Sequence, residues 1–120
     1  MRLGKTLAVF AEGALWRVTH QHWLGRRLVD ALGESDENVR SVAGLMLAKS
    51  GVAAIPVLHD ALAERSNLPE VLTLLGDVGD ASVEQDLARF ASDKDENIAR
   101  AAKDALRVLA LRTAGGLKSN

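Results

Sequence analysis

Asp36-Glu37-Asn38-Val39-Arg40 and, further along, Asp95-Glu96-Asn97-Ile98-Ala99-Arg100 decide how this chain folds. Each opens with an aspartate suited to accept backbone N–H groups at a helix N-terminus. Glutamate follows in the first turn, where the macrodipole favours negative charge, and Val39 or Ile98 then begins an apolar face. A weaker copy opens at Leu68-Pro69-Glu70-Val71. Asp36 and Asp95 lie 59 positions apart, and Gly51 and Gly79 lie 28 apart, so the unit is about 30 residues. That length is one helix pair. A lone pair leaves apolar surface on both sides, which stacked neighbours cover.

Working outward, the punctuation is regular. Leu24, Leu28, Val29 and Leu32 share a helix face that ends at Gly33, and Ser35-Asp36 caps the next helix. That helix is expected from about Glu37 to Lys49, with Val39, Val42, Ala43, Met46 and Leu47 inward. A fourth begins near Ala53, with Pro56 tolerated in its first turn. Asn67 is placed to cap a helix carrying Val71, Leu72 and Leu75, with Gly76 to Gly79 as its terminator. Ser82 to Phe90 forms a short helix, and the last runs from about Glu96 to Arg112. The predicted organisation is an N-terminal capping helix over 1–21, helical repeats over 22–112, and a loose tail over 113–120.

Composition agrees with an all-α reading. The 120 residues are 48% hydrophobic, mostly Leu, Ala and Val, with 3% aromatics, which suits packed helices better than a sheet. A formal net charge of −1 provides no global field to draw the chain to nucleic acid or an anionic membrane. Without cysteine there are no disulfides, zinc-thiolate sites or thiol nucleophiles. No segment reaches the roughly 20 apolar residues of a membrane span, and Glu12 interrupts the run Leu7-Ala8-Val9-Phe10-Ala11, so a cytoplasmic protein is expected.

Leu28-Val29-Asp30-Ala31-Leu32, Asp36-Glu37-Asn38-Val39-Arg40, and Ala43 with Leu47-Ala48-Lys49-Ser50-Gly51 resemble the short HEAT-like repeat of phycobilisome-lyase-type proteins, over about 24–109. The resemblance implies an all-α, short HEAT-like solenoid of about three helix pairs behind an extra N-terminal capping helix. It also implies a ladder between units made by the turn Asp and the helix Arg, here Asp36 with Arg40 and Asp95 with Arg100. The middle unit has no Arg at the corresponding place. Diiron enzymes on this scaffold use His-Glu pairs, and this chain contains no His-Glu dipeptide.

Catalytic and ligand motifs are sparse. His20-Gln21-His22, with His59-Asp60 distant, is a metal-ligand fragment without an assured third ligand, and a structural or solvated role is expected. There is no Gly-x-Gly-x-x-Gly or phosphate loop. The acidic turns lack the ordered ligand run of a calcium loop, and helix capping explains them. No catalytic residue, metal site or cofactor is therefore assigned.

The first helix is apolar on two sides. Leu7, Phe10, Ala11, Ala14, Leu15 and Val18 make one face, and Val9 and Trp16 extend apolarity to another; one face can cap the first repeat, and the second needs the bend of the chain or another molecule to cover it. A core position is expected for Trp16 and Trp23, with interface anchoring as the alternative, helped by Arg26-Arg27. The expectation is a noncatalytic protein-protein interaction or assembly module, part of a larger complex or a homo-oligomer. Its partner would dock on the second helices or the end helices, through Trp16, Trp23, Arg26, Arg27, Arg40, Glu70, Thr73, Arg100, Lys103, Arg107 and Val108. Ala101, Ala105 and Val108 are expected as an uncovered stripe on the last helix. Alternatives are an accessory subunit or small lyase-like enzyme dependent on a bound cofactor or partner, and a membrane-peripheral adaptor using Arg2, Lys5 and Phe10.

Overall fold

Both copies of the acidic turn begin helices. Asp36, with an extended backbone, accepts the Asn38 N–H at 2.9 Å, and Asp95 accepts the Asn97 N–H at the same distance. The computed structural model describes residues 2–19 and 22–118, and side chains from 4 to 16 and from 23 to 114. The described residues form α1 (Arg2–Thr19), α2 (His22–Ala31), α3 (Glu37–Lys49), α4 (Ile55–Glu64), α5 (Leu68–Val78), α6 (Glu84–Phe90) and α7 (Glu96–Lys118). Short 3-10 turns, Gly51–Ala54 and Ala81–Val83, lead into α4 and α6.

Consecutive helices pack as the pairs α2–α3, α4–α5 and α6–α7. Neighbouring pairs meet through α2 with α4, α3 with α5 and, most extensively, α5 with α7. The molecule measures 41 × 38 × 21 Å. Its thin dimension is two helix diameters, so there are two layers of helices with one core between them. Leu28, Leu47, Leu58, Leu72, Leu75 and Leu87 are fully buried there. No single helix among the described residues is long and apolar enough to cross a membrane.

Three local expectations are corrected. Gly76 does not terminate α5 but lies inside it, where a β-carbon would stand 2.8 Å from the Cα and carbonyl oxygen of Ala105 on α7. The absent side chain lets the two backbones approach. The helix ends at Gly79, the far end of the expected terminator, and Arg112 of α7 donates to the carbonyls of Gly76 and Gly79, both at 2.9 Å. A cation at these carbonyls satisfies acceptors that the helix end leaves open.

Asn67, expected as the cap of α5, makes no side-chain cap bond; its Nδ2 donates to the Val29 carbonyl at 3.0 Å, 38 residues earlier. Its backbone is left-handed (φ 49°), and a β-carbon on Gly33 would meet its side-chain oxygen at 2.6 Å. The middle turn thus ties two helix pairs together instead of repeating the acidic cap.

The last helix does not stop near Arg112 but continues to Lys118, so most of the expected loose tail is helical. Thr113 donates its hydroxyl back to the carbonyls of Leu109 and Ala110. Gly115 and Gly116 lower helix propensity by about 1 kcal/mol each, yet keep their N–H groups and so do not break the ladder as proline would.

At the N-terminal end the packing selects between the two apolar faces of α1. Val9, Gly13 and Trp16 of α1 are buried against α2 and α3, while Leu7, Phe10, Ala11, Ala14 and Leu15 face outward. Two glycines decide this. A β-carbon on Gly13 would overlap the Met46 side chain at 2.5 Å, and one on Gly25 would touch the Trp16 indole at 3.1 Å. The face that allows close approach wins over the face with more apolar residues. Lys5 with Glu34 and Arg27 with Glu12 flank the seam as ion pairs.

Candidate functional site

Placing the sequence-predicted interface residues separates them into three kinds. Trp16, only 3% exposed, belongs to the core and offers no surface to a partner. Arg40 is half-buried, and its guanidinium donates to the carbonyls of Glu34 and Ser35, bracing its own turn. These two act inside the fold.

Arg26 and Arg27 carry ion pairs between helices. Arg26 forms a two-bond fork on Glu64 of α4, at 2.5 and 2.6 Å, and hydrogen bonding to that carboxylate holds the guanidinium above its ordinary pKa. Arg27 meets Glu12 of α1. A docking partner would have to compete with these pairs.

The remaining residues are on the surface. Trp23, expected in the core, is 57% exposed. Its ring lost the joint between α1 and α2 because Trp16 occupies it, set against Gly25. Glu70 and Thr73 are exposed on α5, at the edge of a groove of about 300 Å³ shared with Leu32, Gly44 and Pro69. Arg100, Lys103 and Arg107 are exposed along one face of α7, and Arg107 pairs with Asp104 at 3.4 Å. Of the stripe expected to lie open on α7, Ala105 is buried against Gly76, and Ala101 and Val108 are half-buried; among the described side chains of α7, Leu111 is the large exposed apolar one.

Two surfaces emerge, the first on an end helix expected to carry a contact and the second not read from the sequence. The first is the outer face of α1. Leu7, Phe10 and Leu15 are each at least half exposed, with Ala11 and Ala14 between them, and no charged residue falls between Leu7 and Leu15 except Glu12, which turns toward Arg27. Leu7, Phe10 and Leu15 share one helix face and so form a contiguous apolar patch, not singly scattered surface residues. Its components were visible as a stripe, but not which stripe would be left outside.

The second is a groove of about 520 Å³ between α4 and α6, lined by His59, Leu62, Arg65, Arg89, Phe90 and Asp93. His59 Nε2 stands 3.1 Å from Asp86, which also takes Arg89. Arg65 donates to Asp93 at 3.0 Å, and its guanidinium lies 5.8 Å from the centre of the Phe90 ring. The Asp95 backbone N–H, and then the Arg65 guanidinium, hold the Asp93 carboxyl below the usual carboxylate range. The i,i+3 pair Asp86 and Arg89 was the only local signal of this cluster.

Among the described residues, no group of three or more His, Asp or Glu side chains is arranged to hold a metal ion. His20 and the side chain of His22 lie outside the described residues. No protein-family model, curated protein or solved structure matches the chain.

Proposed function

We propose that the chain is a noncatalytic interaction module, a short HEAT-like stack of three helix pairs that docks an apolar surface of a partner protein on the outer face of its N-terminal helix. The observation that carries this reading is the placement of Leu7, Phe10 and Leu15 in solvent while Trp16 holds the same helix to the core. The helix is anchored on one side and presents a rigid apolar strip on the other. A preorganised strip of this kind loses little conformational freedom on binding, which favours association.

A protein partner fits the strip better than a bilayer does. Interfacial helices keep lysine and arginine free for lipid headgroups, whereas Lys5 and Arg27 beside this strip are engaged by Glu34 and Glu12. The HEAT-like reading is supported by the serial pairing of helices and by the two acidic caps that open α3 and α7.

The test compares the wild-type chain with Phe10→Glu. Affinity purification from the native host and native mass spectrometry over a dilution series should give a stoichiometric complex, hetero or homo, that Phe10→Glu abolishes without lowering the melting temperature. A strictly monomeric protein with no Phe10-dependent complex would rule the proposal out, and flotation with liposomes would transfer the strip to a membrane role.

A further inference from the structure

We infer that the groove between α4 and α6 is a binding site for a small organic anion, a carboxylate or phosphate monoester carried on an apolar body. Its formal charge balances, with Arg65 and Arg89 against Asp86 and Asp93, but the distribution does not. The side chains of Asp86 and Asp93 are 14% and 12% exposed, whereas those of Arg65 and Arg89 are 53% and 72% exposed. The carboxylates sit behind the guanidinium groups and fix them, and what an approaching ligand meets is N–H. Each guanidinium carries five donors, and the bond to its aspartate uses one. Leu62 and the Phe90 ring supply an apolar floor beside them, and about 520 Å³ falls within the size range of small-ligand clefts.

The backbone at Arg65 supports a use beyond bracing. Arg65 closes α4 in the left-handed conformation (φ 55°), with the Ser66 N–H returning to the Ala61 carbonyl. Glycine is the usual occupant of that position, because a β-carbon there is disfavoured. Offsetting the α4 macrodipole needs only a cation somewhere in the last turn. Placing the arginine at the strained position is what sets its guanidinium over Phe90 and at the mouth of the groove. The site is separate from the α1 strip, so it stands or falls independently of the partner reading.

Titration of the protein with phenyl phosphate, followed by NMR of backbone amides and arginine Nε–H groups, tests the site. Saturable shifts should cluster on Leu62, Arg65, Arg89 and Phe90, and phenyl phosphate should bind about tenfold more tightly than inorganic phosphate or benzyl alcohol. Phenylacetate in a parallel arm separates a carboxylate from a phosphate preference, and saturable binding of either supports the site. Arg65→Gly keeps the left-handed turn and should weaken binding by about tenfold while the fold is retained; Arg89→Gln should do the same from the other wall. Absence of saturable shifts from both aromatic anions up to about 10 mM, binding of neither aromatic anion more tightly than inorganic phosphate or acetate, or shifts undiminished in both variants would each overturn the assignment.

Discussion

Gly76 and Ala105 bring α5 and α7 together so closely that a β-carbon on Gly76 would stand 2.8 Å from both the Cα and the carbonyl oxygen of Ala105. Backbone cannot move aside as a flexible side chain can. Gly76→Ala should therefore destabilise the protein by about 1–3 kcal/mol, outweighing the roughly 0.5–1 kcal/mol that alanine gains in helix propensity. Gly4→Ala is the control, since a β-carbon there would meet nothing within 4 Å, and it should be neutral or slightly stabilising. Urea unfolding midpoints would decide, and an unshifted midpoint for Gly76→Ala would remove the close crossing.

The two tryptophans should respond oppositely to truncation. Trp16→Ala empties a buried site against Gly25 and should cost about 3–5 kcal/mol. Trp23→Ala removes an exposed ring and should stay within about 0.5 kcal/mol. Equal losses in thermal denaturation would show that both rings share the joint between α1 and α2.

Asp36→Ala and Asp95→Ala should each cost on the order of 1 kcal/mol, because each removes the acceptor of an N-terminal N–H. Asn67→Ala should cost a similar amount for a different reason, the loss of its bond to Val29 across two helix pairs. Added calcium should leave all melting temperatures unchanged. A large calcium-dependent rise in the wild type, absent from Asp36→Ala or Asp95→Ala, would turn the acidic turns into ligand sites.

Asp93 makes the acid limb of stability sensitive to one side chain. Its carboxyl is depressed by the Asp95 N–H first and by Arg65 second, so its contribution is fully present above the unfolded-state value near 4 and is lost as pH falls through the folded value. Asp93→Asn should therefore lower the melting temperature at neutral pH, with a deficit that shrinks below about pH 4. The interaction is close to solvent, so the deficit should also narrow in high salt. A deficit independent of pH would show that only packing had been lost.

The helices are legible in the sequence because their ends are local chemistry. Asp36, Pro56, Gly51 and Pro69 each act within a turn of their own position, and α3 begins and ends where they indicate. Gly76 is ambiguous by comparison, because a glycine inside an apolar helical run signals termination or close approach equally well, and the deciding atom belongs to Ala105. Asn67 is ambiguous in the same way, since its acceptor lies on Val29.

The candidate sites are less legible still. Period and polarity show that α1 has two apolar arcs, and a helix in isolation can bury either. The arc containing Gly13 goes inward because it alone lets α1 come down onto Met46, and Leu7, Phe10 and Leu15 are left outside as a consequence. The groove joins His59 and Arg65 to Asp86 and Asp93 across the gap between α4 and α6, residues whose separations carry no periodic signal. Sequence by itself determined that this chain is helical and where most helices start, because capping, helix propensity and apolar period act over a few residues. Only tertiary packing decided which faces meet and which charges converge, because those depend on where glycines let backbones approach across the fold.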